Sequence, residues 1–319
     1  MPMIDDAVLV VGSGGFIGRA LVEALSRRGL PTIALSRSPQ TISHPLVEVA
    51  TYSEGASAEL SALLERSRVV VHLATGSTPG TSAARPLAEV AGNLHFTATL
   101  LEALQQRPGV GLLYVSSGGS IYTDTSQAPS AEDAPVRPHS YHGAGKLAAE
   151  YFISAWCDQF SGSAVAVRPS NVYGPGQPER PGFGVIPAAM GAVLRNECLH
   201  VWGDGSARRD YIYVEDFLDL CLAILGTPMQ TGLLRVNACS GASTSLDQLF
   251  ATLEAVSGRT LLRTYDHRRS VDASCIAMSP ALAGSVYGWH SKTALEEGVR
   301  RTWLWRQSLH DRGQRGTAS

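Results

Sequence analysis

The chain has 319 residues, 44% of them hydrophobic and 17% charged, with a formal net charge of −2. This length and apolar fraction suit one large or two modest globular domains, and the near-neutral charge excludes an electrostatic basis for binding nucleic acid or an anionic membrane. No stretch approaches the roughly 20 apolar residues that a membrane helix needs, and the first residues, MPMIDDAVLVV, carry acids where a secretory signal carries bases.

The N-terminal half alternates short apolar runs with amphipathic stretches. The apolar runs predict strands at 7–11, 32–35, 46–49, 69–73, 112–116 and 164–167, and the amphipathic stretches predict helices at 16–28, 56–65, 86–106 and 143–160. Strands that alternate with helices form parallel sheets covered by helices on both faces. The sequence therefore predicts an α/β fold, with a doubly wound Rossmann sheet over residues 1–169.

The pattern changes after Pro169, where glycine and proline interrupt the segment NVYGPGQPERPGFG. Shorter elements follow, with helices predicted at 186–195, 214–225 and 246–256 and strands at 199–202 and 233–236. We expect them to form a smaller C-terminal α/β region over 170–306, with the chain free to cross between the two regions. Residues 307–319 are polar and predict a frayed tail.

A glycine-rich turn joins the first strand to the first helix. Gly12, Gly15 and Gly18 stand in a G-x-x-G-x-x-G arrangement. The first permits the sharp turn, the second lets backbone N–H groups approach a pyrophosphate, and the third lets helix and strand pack closely. The strand before the loop and the helix after it are the context that this motif requires. The predicted contacts to a dinucleotide are made by Gly12, Gly14, Gly15, Phe16, Ile17 and Gly18.

The end of the second strand carries the residue that distinguishes the two nicotinamide dinucleotides. An acid there accepts a hydrogen bond from the 2′-hydroxyl of NAD, whereas an arginine accommodates the 2′-phosphate of NADP. Ser36 stands where the acid is expected, and Arg37 follows it. This pair favours NADP as the cofactor and leaves NAD as the alternative.

A series of motifs runs in order along nearly the whole chain. They are GGFIG at 14–18, HLA at 72–74, Asn93, YVSSGGSIY at 114–122, GAGKLAAE at 143–150, RPSNVYGPGQ at 168–177, WGDGSARRDYIYVEDF at 202–217 and GWHSKTALEEGV at 288–299. Together they closely resemble the extended short-chain dehydrogenase/reductases, and within them the NAD-dependent epimerase/dehydratase family that acts on nucleotide sugars. The motif set is most similar to that of UDP-glucose 4-epimerase-like members.

This resemblance implies roles for individual positions. Leu73 and Ala74 match the strand segment that passes under the cofactor, and Asn93 matches a helix residue that supports the backbone of the active site. Lys146 matches the lysine that holds the nicotinamide ribose. The implied substrate contacts are Asn171 and Arg209 on the nucleotide diphosphate, Val201 against the base, and Arg269 as a candidate second arginine.

The resemblance also implies a homodimer. In the family, two helices from each copy pair across a two-fold axis as a four-helix bundle, and here these helices are 86–106 and 143–160. The candidates for burial at that interface are Leu87, Val90, Leu94, Leu101, Phe152 and Trp156.

The family's reaction uses a tyrosine and a lysine four residues apart on one helix, and this sequence departs from that pattern. The spacing places both side chains on one face, where the lysine ammonium lowers the pKa of the phenol. Here His142 stands four residues before Lys146, and Tyr141 stands one place earlier, about 140° from the lysine around a helix. A neutral imidazole can itself act as a base. His142 is therefore the first candidate for the proton relay, and Tyr141 is the alternative if it lies before the first helical turn.

A second departure lies in SSGGSIY at 116–122. With Ile121 and Tyr122 as the anchor, Gly118 falls where many family members have the catalytic serine or threonine. Ser117 or Ser120 must then supply the hydroxyl. We prefer Ser117, because it stands 25 residues before His142, a separation usual for the serine and tyrosine of the family.

The five cysteines include no CxxC pair and are odd in number. They fit reduced thiols better than disulfides. We therefore expect a cytoplasmic protein, and we predict no metal site.

The motif set predicts an NAD(P)-dependent enzyme that acts by hydride transfer at C4 of a nucleotide sugar. Two activities are open: epimerase, which the motif set favours, and 4-ketoreductase, which the Ser36–Arg37 pair favours. A dehydratase is disfavoured, because Gly118 and Gly119 stand where its acid pair is expected. The alternative function is a protein that binds the cofactor and a nucleotide sugar with little or no turnover, since His142 occupies the usual tyrosine position.

Overall fold

The structure of the chain is a computed structural model. It describes residues 5–53, 57–78, 85–123, 128–180, 182–267 and 273–316. A large parallel sheet with helices on both faces makes up most of the molecule, and a smaller α/β region lies across a cleft from the ends of its strands.

The strands fall into one large sheet and two small ones. In chain order they are β1 (Ala7–Val11), β2 (Thr32–Ser36), β3 (Val47–Thr51), β4 (Ser67–His72), β5 (Gly111–Val115), β6 (Ser163–Pro169), β7 (Asn171–Tyr173), β8 (Leu199–Trp202), β9 (Arg208–Tyr213), β10 (Gly232–Ala238), β11 (Ser243–Ser245), β12 (Arg263–Asp266) and β13 (Cys275–Ile276). The large sheet has the order β10-β6-β5-β4-β1-β2-β3 and is parallel throughout. The order reverses between β1 and β4, which confirms the predicted doubly wound Rossmann fold.

Helices cover both faces of the large sheet and build the smaller region. In chain order they are α1 (Phe16–Arg27), α2 (Ser57–Glu65), α3 (Pro86–Glu89), α4 (His95–Gln105), α5 (Gly118–Ile121), α6 (Tyr141–Phe160), α7 (Val185–Arg195), α8 (Val214–Leu225), α9 (Leu246–Ser257), α10 (Ala281–Tyr287) and α11 (Leu295–Gly316). Within the described ranges, none of them combines the length and the hydrophobicity that spanning a bilayer requires.

The core consists of two apolar layers, one on each face of the large sheet. Alternate side chains of β1 point to opposite faces. Val8 and Val10 pack with residues of α1 and α8, whereas Leu9 and Val11 pack with residues of α2, α4 and α6. No side chain of β1 is more than 3% exposed, as expected for a central parallel strand. The buried sheet gives the loops at its edge a rigid support.

The large sheet is not confined to residues 1–169. The strand predicted at 233–236 within the C-terminal region is β10, which pairs in parallel with β6. The chain returns to the sheet because α8 is apolar on the face that packs against it, where Phe217 and Leu220 are fully buried. The polar segment predicted as a tail from 307 is helical as far as 316, because α11 continues through it from a part of the helix that buries Trp303.

The helix predicted at 86–106 is interrupted. A π-helical turn, Val90–Leu94, joins α3 to α4. Such turns insert an extra residue into a helix and are frequent at functional sites. Here the turn rotates the side chains of α3 and of the turn itself relative to those of α4.

Two of the predicted dimer contacts belong to the core of the single chain. Leu101 is 5% exposed and Trp156 is 3% exposed, because both pack under the large sheet between α4 and α6. Leu87, Val90 and Phe152 lie on the outer surface with exposures of 83%, 52% and 49%. Leu87, Val90 and Phe152 are therefore accessible to a second copy of the chain, and the homodimer itself stays a prediction.

Replacing two of the aromatic residues of α6, Trp156 and Phe152, separates these roles. We expect Trp156→Ala to lower the free energy of unfolding by about 3–5 kcal/mol, because it leaves a cavity in the core. Phe152→Ala, on the same helix but half-exposed, should change it by less than about 1 kcal/mol. Urea denaturation of both variants measures the difference, and equal losses would contradict this description of the core.

Candidate active site

A cleft of about 2060 Å³ opens where the strand order reverses, between the carboxyl ends of β1 and β4 and the smaller region. Open α/β sheets bind ligands at this position. A site for one small ligand typically encloses about 300–1,000 Å³, so this cleft has room for two ligands. The predicted residues that line it are Gly12, Gly14, Gly15, Phe16, Ile17, Gly18, Ser36, Arg37, Leu73, Ala74, Ser117, His142, Lys146, Asn171, Val201 and Arg209.

The glycine loop is shaped by close backbone packing. Gly12 has φ of +92°, and a Cβ there would lie 2.7 Å from the backbone nitrogen of Ala74. A Cβ on Gly18 would overlap the carbonyl oxygen of Gly12, whereas one on Gly15 would meet nothing nearer than that oxygen at 3.4 Å. Gly15 also begins α1 without a side-chain cap, and the first turn holds no acid. The N-terminus of α1 therefore presents N–H groups to the cleft, where they can bind an anion.

Two arginines lie at the mouth of this end of the cleft. Arg37 follows β2 and Arg19 lies in the first turns of α1; both are exposed, both line the cleft, and neither forms an ion pair with a described residue. Ser36 instead has its hydroxyl engaged, since it donates to the carbonyl oxygen of Ser38 at 2.6 Å and accepts from Gln40 Nε2 at 2.7 Å. Sequence reasoning missed Arg19. Its only signal was a basic residue one position after the last glycine of the loop.

The start of α6 decides which side chain enters the cleft beside the lysine. Ser140 caps the helix by accepting a hydrogen bond from the Gly143 backbone at 3.1 Å, so α6 begins at Tyr141, two residues earlier than predicted. Tyr141 is then already helical, 45% exposed and outside the cleft lining, while His142 is 7% exposed and lines it. His142 and Lys146 share one helical face.

Lys146 is a buried residue that lines the cleft. Its Nζ donates to the carbonyl oxygen of Val115 at 2.9 Å and lies 5.0 Å from the centre of the Tyr114 ring. Burial lowers the pKa of Lys146 to about 8, against the opposing effect of the Glu89 and Glu150 carboxylates. The lysine therefore remains largely protonated at neutral pH.

His142 is neutral in this environment. Burial, assisted by the charge of Lys146, lowers the pKa of His142 to about 3. Its Nδ1 lies 3.0 Å from Ser77 Oγ. His72, at the end of β4, is also buried, and the same two effects lower its pKa to about 3; its Nε2 lies 3.0 Å from Thr97 Oγ1.

The hydroxyl groups near β5 are divided between the core and the cleft. Ser116 is buried and donates to Glu150 Oε1 at 2.6 Å. Ser117, the next residue, lines the cleft and donates to Ser120 Oγ at 3.1 Å. A Cβ at Gly118 would overlap the end of the Met278 side chain. A serine or threonine at 118 would therefore require Met278 to move.

The far end of the cleft is formed by the smaller region. β9 alternates its arginines: Arg209 lines the cleft, whereas Arg208 turns away and its Nε donates to Ser243 Oγ at 3.1 Å. Asn171 Nδ2 donates to the backbone oxygen of Asp210 at 2.8 Å, and Val201 is 4% exposed on β8. Arg269 lies outside the described residues.

Sequence reasoning also missed aromatic groups at this end. Trp202 and Tyr265 line the cleft and are about half-exposed. Tyr265 lies on β12, a strand that the sequence pattern did not reveal because it is short and mostly polar. Among the described residues, no three or more His, Cys, Asp or Glu side chains are grouped so as to hold a metal ion.

Comparison with known proteins identifies the family of the chain. The sequence matches the NAD-dependent epimerase/dehydratase family over residues 8–236. The chain belongs to this family. The match confirms the resemblance that the motifs carried.

Three relatives show the range of the family around this chain. The UDP-glucose 4-epimerase of Mycolicibacterium smegmatis is 29% identical over 303 residues, which cover 92% of this chain and 96% of that protein. The dTDP-4-dehydro-6-deoxyglucose reductase of Escherichia coli is 25% identical over 306 residues, covering 92% and 95%. Among solved structures, MoeE5 in complex with UDP-glucose and NAD has a TM-score of 0.85 and 29% identity, covering 95% of this chain and 99% of that one.

The buried imidazoles make stability depend on pH. Histidine in an unfolded chain has a pKa of about 6.5, whereas the pKa of His142 in the fold is about 3. Between these values the unfolded chain binds more protons, so the free energy of unfolding must fall as the pH falls. We expect His142→Gln to reduce that dependence by up to about 1.4 kcal/mol per pH unit below pH 6. Urea denaturation of both proteins at several pH values measures it; parallel curves would show that His142 is charged in the fold.

Proposed function

We propose that this protein is an NAD(P)-dependent enzyme that oxidises or reduces C4 of a nucleotide sugar, as an epimerase or a 4-ketoreductase. The observation that carries the proposal is His142, which lines the cleft on the same face of α6 as Lys146. A titratable group of perturbed pKa beside a buried lysine in a large cleft is the arrangement expected of a proton relay. Family relatives include both an epimerase and a reductase.

The residues of the glycine loop fit a nicotinamide dinucleotide. A Cβ at Gly15 would contact only the Gly12 carbonyl oxygen, at 3.4 Å, and the N–H groups at the N-terminus of α1, which have no side-chain cap, suit a pyrophosphate. Leu73 and Ala74 lie beside the loop, and Lys146 lines the same cleft. In this proposal Lys146 holds the nicotinamide ribose. When bound, the nicotinamide accepts or supplies the hydride at the sugar carbon. MoeE5 binds NAD in a closely similar fold.

In this proposal the chain moves the proton that accompanies the hydride. His142 accepts the proton of the C4 hydroxyl in oxidation and returns it in reduction. Ser117 lies on the cleft side of β5 and positions the same hydroxyl. Lys146 holds the ribose. Because it also stays protonated, its positive charge stabilises the negative charge that develops on the C4 oxygen.

The smaller region supplies the substrate contacts. Arg209 lines the cleft and matches the geometry of a diphosphate, and Asn171 lies next to it on the neighbouring strand. Val201 forms an apolar wall against the base. UDP-glucose is bound by MoeE5 and acted on by the Mycolicibacterium smegmatis enzyme, which supports a nucleotide sugar as the ligand.

We propose NADP as the preferred cofactor. No acid stands at the end of β2 to bind a 2′-hydroxyl, and Ser36 is engaged with Gln40. Arg37 and Arg19 instead offer two cations at this end of the cleft, and arginine suits a phosphate. NAD remains the alternative, as in MoeE5.

Removing one arginine tests this preference. NADPH should bind more tightly than NADH, and Arg37→Ala should lose about 1–3 kcal/mol of NADPH affinity, the usual worth of a charge-assisted hydrogen bond, while NADH affinity stays unchanged. Calorimetric titration gives both constants. Arg27→Ala, at an exposed position on the far end of α1, is the matched control. Equal affinities of the parent protein for the two cofactors would contradict the proposal.

One observation favours the alternative, a binding protein with little turnover. The low pKa of His142 in the free cleft makes it a weaker base than an ordinary imidazole. In that case the cleft would keep its cofactor and nucleotide-sugar contacts while the chemistry was lost.

Substitutions at the start of α6 distinguish the two functions. With a panel of UDP-, dTDP- and GDP-sugars and NMR detection of products, His142→Ala should lower turnover by several orders of magnitude, because the proton relay is removed. His142→Tyr should preserve or raise it by restoring the family's pair with Lys146. Tyr141→Phe should change it little, since Tyr141 lies outside the cleft lining.

Because the pKa of His142 is low, the parent rate should not fall as the pH drops through 6.5. The charged groups beside His142 are Lys146 on α6 and Glu89 on α3, reached through Ser77. Inactive Tyr141→Phe with active His142→Ala would transfer the role to the tyrosine. No turnover by any of these proteins on any sugar would favour the binding protein.

We also propose a homodimer formed by α4 and α6. Its support is the apolar surface on and beside these helices, where Leu87, Val90, Tyr151 and Phe152 are each about half-exposed or more. Apolar side chains clustered in this way mark an interaction surface.

A further inference from the structure

A buried carboxylate reaches His142 through a serine hydroxyl. His142 Nδ1 lies 3.0 Å from Ser77 Oγ, and Ser77 Oγ donates a hydrogen bond to Glu89 Oε2. Asn93 Nδ2 donates to Ser77 Oγ at 2.9 Å and to Glu89 Oε1 at 2.6 Å. Glu89 is only 3% exposed, so solvent screens these contacts weakly.

The backbone is arranged to admit this carboxylate. Gly145 lies on α6 between His142 and Lys146, and a Cβ at that position would overlap the Glu89 carboxylate. The π-helical turn carries Asn93, and the backbone nitrogen of Gly76 donates to Asn93 Oδ1 at 2.6 Å. That bond occupies the amide oxygen, so the amide NH₂ faces Ser77 and Glu89.

The hydrogen atoms in this network can be counted. Ser77 has one hydroxyl proton, which it donates to Glu89. Its oxygen accepts from Asn93, and it has no second proton for His142. The imidazole must therefore be the donor in the contact between its Nδ1 and Ser77.

We propose that Glu89 is a positioning residue that acts through Ser77 to hold His142 with a proton on Nδ1 and a lone pair on Nε2. The proposal rests on the proposed function, because it explains how His142 is kept ready to accept a proton. A carboxylate that fixes the tautomer of a catalytic imidazole is a recurring device in acid–base sites.

The consequence for the reaction is a fixed pattern of hydrogen bonds. When the C4 O–H bond breaks, its proton forms the Nε2–H bond of His142, and the hydride from C4 passes to the nicotinamide dinucleotide of the proposed function. No proton in the Glu89–Ser77–His142 chain has to move. The imidazolium that forms is compensated by Glu89, which opposes the charge of Lys146 on the same face of α6.

The substitution Glu89→Gln removes the negative charge and replaces one acceptor oxygen by a donor, while the size of the side chain is unchanged. The new amide NH₂ can donate to Ser77, which frees the hydroxyl proton of Ser77 to turn toward His142 Nδ1. We expect His142 to change from the Nδ1–H to the Nε2–H tautomer. The ¹⁵N NMR shifts of histidine-labelled protein report this directly, with His142 assigned by comparison with His142→Gln, and they require no activity.

Kinetic measurements then test the consequence. We expect Glu89→Gln to lower kcat by about 10- to 100-fold, the usual effect of losing such a partner, with KM changed by less than about twofold. Glu102→Gln, which removes an exposed carboxylate from α4, is the matched control and should change neither the tautomer nor kcat. If Glu89→Gln does not fold, Ser77→Ala removes the bridge and should produce a mixture of tautomers in place of one.

The outcomes are separable. An Nε2–H tautomer in the parent protein, or an unchanged tautomer in both Glu89→Gln and Ser77→Ala, would overturn the proposal. A tautomer change with no turnover of any nucleotide sugar by the parent would support the positioning role of Glu89 and reject the proposed function. A tautomer change accompanied by unchanged kcat would support the positioning role of Glu89 and reject His142 as the proton relay of the proposed function.

Discussion

The hydrogen bond between Ser140 and the Gly143 backbone sets the frame for the rest of the site. It fixes the first residue of α6 at Tyr141. Because a helix repeats every 3.6 residues, this start commits His142 and Lys146 to the cleft and turns Tyr141 outward. A start two residues later would leave Tyr141 free of the helix and able to swing inward. One capping interaction of about 1 kcal/mol therefore decides which of the two candidate residues, His142 or Tyr141, faces the cleft beside Lys146.

Placing an imidazole where the family has a phenol changes what the surroundings must supply. A phenol has one titratable atom, and a neighbouring ammonium is enough to lower its pKa. An imidazole has two nitrogens, and the wrong tautomer presents a proton where a lone pair is needed. The neighbouring ammonium of Lys146 also works against protonation of His142. In the proposed arrangement, the Glu89–Ser77–Asn93 cluster meets both requirements, since it would specify the tautomer and it brings a carboxylate to the Nδ1 side of the ring.

The two ends of the cleft are built on different principles. At the large sheet the lining includes a glycine loop, in which a side chain at Gly12 or Gly18 would meet backbone atoms. At the smaller region the lining includes larger side chains on short strands, such as Arg209 and Trp202. Backbone contacts tolerate little change, whereas side chains on short strands are readily replaced. This difference is consistent with one cofactor-binding loop serving relatives that act on different sugars.

The sequence by itself determined the fold class and the position of His142 four residues before Lys146, where the family has a tyrosine. Apolar runs alternating with amphipathic helices specify a parallel sheet, and G-x-x-G-x-x-G together with the spacing of His142 and Lys146 can be read within single elements. Tertiary structure alone decided the rest. The strand Gly232–Ala238 pairs with β6 in the large sheet. The sequence could not show this pairing, because the two strands lie far apart in the chain. Glu89 and Ser77 resemble surface residues in the sequence, 53 and 65 positions before His142. They become part of the site only because packing of α3 and the π-helical turn against Gly145 removes Glu89 from water, where a carboxylate is retained only with donors of the kind that Ser77 and Asn93 provide.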